Sequence, residues 1–305
     1  MKRISDFYGI TGSLPFVNVD LDDDNRLYLD PHAIRLATGP MPFARDAVAC
    51  ADSFLREVTA CIIVGDSVSR TRGEALLQRF FEPWETRLGM AVTGFRGHGG
   101  AELIGSMIWS ALTEDVEALV RVGILRQIED LPLFVKGIDR DITSDITTRL
   151  MFGPLAAFTA QMIATYPQFA TTGGGVREFT KQVWDPIENE WTDVTVTLPV
   201  VDGKPLLLIP TGWARSTLLM SAKRFYETAV LTFAQLEQAI TLEDGTLLTT
   251  PKDSLREQRG LERGRQTNIR VTQRAFATEQ DLLAYFKAFV DGRYEPPADE
   301  VGVAV

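Results

Sequence analysis

The chain has 305 residues, of which 45% are hydrophobic and 24% charged, and its formal net charge is −10. This balance is that of a folded domain and excludes a disordered or fibrous chain; the length is enough to bury a core without disulfide or metal staples. An excess of acid repels nucleic acid and anionic membranes as a whole, so binding to either needs a locally basic face.

In chain order, Phe16–Val19 and Arg26–Leu29 are strand-like, with the polar turn 20–25 between them, and a hairpin is expected. The run Asp20-x-Asp22-x-Asp24 mimics the start of a calcium loop, but Asn25 stands where the loop glycine belongs and Pro31 where its closing Glu belongs. A plain turn is the expectation. Asp30-Pro31 then supplies an N-cap and a proline at the first helical position.

Asp46 to Ile63 is an alanine-rich amphipathic helix carrying both cysteines, Cys50 and Cys61. Eleven positions are about three turns, which puts the thiols on one face roughly 16 Å apart, beyond the roughly 7 Å that a disulfide allows between Cα atoms. Two reduced, buried thiols suit a reducing compartment. No signal-peptide core follows Met1-Lys2-Arg3, and no apolar run approaches the ~18 residues of a membrane helix. A cytoplasmic location is expected.

Further along, 74–81 and 101–112 read as helices, Leu131–Val135 as a short strand, and a helix starts near Asp141 and restarts at Gly153-Pro154. Trp191–Pro199 and Pro205–Ile209 form a hairpin about Asp202-Gly203. Leu219, Ala222, Tyr226, Ala229, Val230, Phe233, Leu236 and Ile240 make an apolar stripe for one long helix, and 281–290 is a closing helix. The pattern predicts an α/β or α+β chain: a helix-rich single globular domain over 1–294 with a small, mainly antiparallel sheet, and a disordered tail at 295–305.

Three clusters carry candidate chemistry. Asp139, Asp141 and Asp145 surround a helix start, with Arg140 and Ser144 between them. Carboxylates four apart share a helix face and suit Mg²⁺ or Mn²⁺ binding or acid–base work; the alternative is a helix cap with acids at the positive end of the dipole and Asp145 paired with Arg149 four residues on. The second cluster is Gly94 to Gly100. Gly97, Gly99 and Gly100 offer backbone N–H groups to an anion, and Arg96 and His98 add charge; a surface loop is the alternative. The third is Pro251–Arg274, with seven basic residues against three acidic. In it, Arg259, Arg263, Arg265 and Arg270 suit phosphates of a nucleic acid, or a solvated face.

The Asp139-Arg140…Ser144-Asp145-Ile146-Thr147-Thr148 signature, with Leu29-Asp30-Pro31, the glycine cluster and Leu208-Ile209-Pro210 before a long helix, resembles that of an uncharacterised group of bacterial proteins. The resemblance implies no activity, only that Asp139, Arg140, Ser144 and Asp145 belong together. Two functions compete. One is a Mg- or Mn-dependent phosphodiesterase or nuclease of bacterial phage defence, acting on nucleic acid or a nucleotide. The other is a non-catalytic sensor, scaffold or antitoxin-like protein that binds a protein partner or a second copy of itself.

Overall fold

Capping carboxylates set where the helices begin. In the computed structural model, which describes residues 2–23, 25–89 and 98–296 (His98 and Gly99 by backbone alone), Asp30 is extended and its carboxylate accepts from the backbone N–H groups of His32 and Ala33, so that helix α1 (Pro31–Leu36) opens on its proline as expected. Helix α2 (Phe43–Val64) holds Cys50 and Cys61, both free and buried, and ends at Gly65 with φ 71°. Asp66 caps α3 (Ser67–Leu77), which starts a full turn and more before the expected Glu74. Helix α4 (His98–Ser110) lies on α3.

Leu131–Phe134 is a helical turn and not a strand. Pro132 in its first turn needs no amide partner there, which favours a helix start over a ladder position. Asp139 caps α5 (Arg140–Leu150), and α6 (Phe152–Thr165) restarts through Gly153-Pro154.

The sheets are small and antiparallel. Strand β1 (Tyr28–Leu29) pairs with β5 (Ala214–Arg215), and Phe16 bridges to Pro210, so the expected hairpin between Phe16–Val19 and Arg26–Leu29 does not form. The turn itself closes on its own side chains: Asp20 accepts from the amides of Asp22 and Asp23, and Asn25 accepts from the amide of Asp20. The longest strands, β2 (Val176–Asp185) and β3 (Glu190–Val201), make a hairpin in which Trp184 faces Trp191. A two-residue turn leads on to β4 (Lys204–Pro205). The two indoles pack on Phe54 of α2, with ring centroids 4.9 and 5.8 Å away, and each indole N–H is satisfied, Trp184 by Ser53 Oγ at 2.8 Å and Trp191 by the Leu76 carbonyl at 3.0 Å. Burying indoles with their donors paired fastens the hairpin to the helices.

After β5, a helical run passes through Ala222–Phe225, a π turn at Tyr226–Val230 and α7 (Leu231–Glu237). The expected stripe is buried from Leu219 to Phe233 apart from the half-buried Ala222, but the helix stops short of Ile240, and Leu236 and Ile240 are exposed. Ile240 belongs instead to a small hairpin of β6 (Ile240–Thr241) and β7 (Leu247–Leu248). Helices α8 (Arg265–Phe276) and α9 (Leu282–Asp291) complete a helix-rich α+β fold, and one cluster of buried residues extends from Leu29 to Val290. No helix among the described residues is long and apolar enough to cross a membrane. Of the expected disordered tail, 297–305 lies outside the described residues.

The α3–α4 contact depends on Gly105, where an added Cβ would lie 2.6 Å from the Leu77 carbonyl oxygen and 2.7 Å from the Gln78 nitrogen. Backbone cannot yield as a flexible side chain does. Gly105→Ala is expected to destabilise the protein by about 1–3 kcal/mol in urea unfolding, despite the better helix propensity of alanine; a gain in stability would show that the two helices can separate.

Candidate functional site

The start of α5, the segment 217–227 and the start of α8 enclose a pocket of about 790 Å³. Five cationic side chains line it: Arg140, Lys223, Arg224, Arg263 and Arg265. Two carboxylates do so, and both are engaged. Asp139 accepts from the amides of Asp141 and Ile142, and Glu227 forms an ion pair with Arg256. Lys223 and Arg263 have no ion-pair partner among the described residues, while Arg140 lies over the Tyr28 ring, 4.7 Å from its centroid. Arg265 donates to the Ile138 carbonyl at 3.3 Å, so its guanidinium crosses from α8 to the α5 wall.

Two further features face the same space. Helix α8 begins at Gly264 with no side-chain cap, which leaves its first amides and the positive end of its dipole for an acceptor. Asn268, buried one turn later, gives its amide N–H to the Leu133 carbonyl at 2.8 Å, and its side-chain oxygen has no hydrogen-bond partner.

The acidic motif divides. Asp139 and Arg140 stand on the pocket, but Ser144 points into the protein, where its hydroxyl accepts from the amide of Leu29 at 2.9 Å. Asp141 lies against Gly89: a Cβ on that glycine would be 2.9 Å from its Oδ1. Asp145 is half-buried, and the expected pairing with Arg149 does not form, because Arg149 donates to the carbonyls of Phe81 and Glu82 and pairs with Glu85. Burial, followed by the negative charges of Asp141 and Glu82, pushes the Asp145 carboxyl up to about 8, so it keeps its proton at neutral pH. Among the described residues no three His, Cys, Asp or Glu side chains are grouped to hold a metal.

The basic stretch divides too. Arg263 and Arg265 line the pocket, whereas Arg259 and Arg270 line a neighbouring cleft of about 550 Å³ with Arg274. Of the glycine cluster, Arg96 and Gly97 lie outside the described residues, His98 and Gly99 are described by backbone at the start of α4, and Gly100 is buried in its first turn.

Sequence inspection missed a buried ionic network behind the pocket. Glu129 and Asp130 are both fully buried. Glu129 pairs with Arg35 at 2.5 Å and with His32 at 3.4 Å, the other ring nitrogen of His32 meets Asp291 at 2.8 Å, and Asp130 pairs with Lys287 at 2.6 Å. Burial opposes charge on both members of the first pair. The facing carboxylates nevertheless raise His32, and the hydrogen bond from His32 with the charge of Arg35 brings Glu129 down to about 2. The partners stand some 95 to 260 positions apart, and no local pattern announces them.

The family model that matches this chain is described as "Domain of unknown function (DUF8370)" and spans residues 10–222. No curated protein and no solved structure matches.

The Asp145 carboxyl sets a pH test. Its folded pKa lies above the unfolded 3.8, so the native state holds an extra proton between about 4 and about 8. That contribution is complete below the ordinary carboxylate range and is lost as pH rises to 8, with a slope of at most about 1.4 kcal/mol per pH unit. Thermal melts of wild type and Asp145→Asn should therefore diverge from pH 5 to pH 8, with the variant relatively more stable at the higher pH; parallel curves would mean that Asp145 is ionised throughout.

Proposed function

We propose, for a chain that belongs to a family defined only as a domain of unknown function, that the pocket between α5 and α8 binds a nucleotide-sized phosphorylated ligand. The observation that carries this reading is the charge around the pocket: five cationic side chains against two carboxylates that are already engaged. Cations converging on a concave site with few acids to neutralise them favour an anion, and planar guanidinium groups suit phosphate oxygens in particular. The uncapped start of α8 adds backbone N–H donors of the same preference. The volume lies within the range of small-molecule sites.

A long nucleic acid is less well served. Arg259 and Arg270 stand on a different cleft from Arg263 and Arg265, so the four arginines form no single track for a phosphate backbone, and the net charge of −10 opposes an extended polyanion. A metal-dependent phosphodiesterase is the second reading, favoured by Asp139 on the pocket wall, whereas Asp145 does not line the pocket and is not placed to act as its general acid. As a Mg²⁺ or Mn²⁺ cage the motif fits poorly, since Asp139 is occupied as a cap and a protonated Asp145 is a weak ligand.

Calorimetry and thermal melts with ATP, ADP, AMP, inorganic phosphate and a single-stranded oligonucleotide test the proposal. A nucleotide is expected to bind and raise the melting temperature. Arg263→Ala should weaken binding about tenfold or more, the worth of one charge-assisted hydrogen bond, and Arg259→Ala on the other cleft should leave it unchanged. Failure of every nucleotide at millimolar concentration would sink the proposal, and oligonucleotide binding that depends on Arg259 would replace it with a nucleic-acid function. Nucleotide hydrolysis that needs Mg²⁺ or Mn²⁺ and is lost in Asp139→Asn would promote the second reading.

A further inference from the structure

The hairpin of β6 and β7 stands apart from the pocket. Every residue from Ile240 to Thr249 is exposed. Ile240 faces Leu248 in register, and the amide of Leu242 bonds to the Thr246 carbonyl at 2.9 Å. Side chains alternate along a strand, so Ile240, Leu242 and Leu248 share one face. They are 62%, 44% and 56% exposed, and Leu236 on the last turn of α7, four residues before Ile240, is a further aliphatic at 56%. A two-stranded hairpin is at best marginally stable alone. Here its apolar face belongs to neither of the buried core clusters among the described residues.

The hairpin is acidic at its tip, and the cleft at its base has one arginine more than it has carboxylates. Its tip carries Glu243 and Asp244. Its base joins the second cleft through Gln238, which bonds to Gln258 at 2.8 Å, and that cleft holds Arg259, Arg270 and Arg274 together with Glu237 and Glu262. Arg274 pairs with Glu237 at 2.8 Å and Arg270 donates to the Gly260 carbonyl, whereas Arg259 has no hydrogen bond or ion pair among the described residues. Tip and base are separated by about four residues, roughly 13 Å of strand.

We infer that this hairpin is a dimerisation arm and that its occupant is a second copy of this chain. Two hairpins packed face to face about a twofold axis, running antiparallel, bury Ile240, Leu242 and Leu248 of each against the other. The same arrangement lays the acidic tip of each copy on the arginine-lined base of its partner. One arm carries both the apolar face and the acidic tip, and one chain carries the complementary base, so the contact is self-complementary and closes after two copies. Burial of the aliphatic face supplies the affinity, and the charge pairs set the antiparallel orientation.

Sedimentation and light scattering of the full chain at tens of micromolar should give twice the chain mass. Leu248→Asp is expected to weaken dimerisation at least tenfold. Because that side chain is 56% exposed and belongs to neither core cluster, the melting temperature of the dilute protein should move little. A charge exchange keeps the test independent of that one substitution. Glu243→Arg with Asp244→Arg should dissociate the dimer, as should Arg259→Glu with Arg274→Glu, and an equimolar mixture of the two proteins should form a heterodimer. A wild-type chain that stays monomeric at 100 micromolar would overturn the inference. So would a dimer indifferent to Leu248→Asp, and a dimer that ignores the charge exchange would overturn the antiparallel docking.

Discussion

Two adjacent carboxylates, Glu129 and Asp130, are taken wholly out of water, and much of the pocket's architecture depends on how they are compensated. An isolated buried carboxylate is strongly disfavoured unless cations and donors meet it. The compensation comes from two distant segments and one local turn: Arg35 and His32 from α1, Lys287 from α9, and the backbone amides of Arg126 and Gln127, which bond to Asp130. Satisfying the pair therefore requires that α1, the 126–130 turn and α9 be assembled together. Removing one cation would leave a charge buried without its partner, the costly case for such pairs.

The consequences pass directly to the pocket. The turn that holds Glu129 and Asp130 runs into Leu131–Phe134, whose Pro132 lines the pocket and whose Leu133 carbonyl is bonded by Asn268 of α8. Arg265 bonds the Ile138 carbonyl immediately before the α5 cap. On the opposite side, the buried carboxylate of Asp30 accepts from the amide of Leu219 at 2.7 Å, which fixes the start of the 217–227 wall. Each wall of the cationic site is thus held by a buried polar bond to a different part of the chain. That rigidity matters because a phosphate site gains from donors that are already in place.

The residues matched by the family model end at 222, within the pocket wall, while Lys223, Arg224, Arg263, Arg265 and Asn268 follow it. Asp139 and Arg140 lie inside the matched span and most of the cationic side chains outside it. The pocket therefore draws on both parts of the chain. The hairpin that we assign to dimerisation also follows residue 222, so the cationic wall and the proposed self-association surface share the C-terminal third.

What the sequence determined by itself was local. Asp30-Pro31 is legible as a cap because a short carboxylate reaches the amides two and three residues on, and a capped helix start near Asp141 is legible too, although the fold gives the cap to Asp139. The long amphipathic α2 and the break at Gly153-Pro154 are legible because periodicity and proline act within one or two turns. Tertiary structure decided what separated segments do to one another. It gave β1 the partner β5 in place of its neighbour in sequence, turned Ser144 inward to an amide 115 positions away, and drew Arg149 from Asp145 to the carbonyls of 81 and 82. It also sorted the arginines of the basic stretch onto two clefts, a division that a charge count cannot show. The physical reason is common to these cases: capping and periodicity are properties of a few adjacent residues, whereas desolvation, pairing and pocket charge are fixed by whichever distant groups the fold brings within a few ångströms.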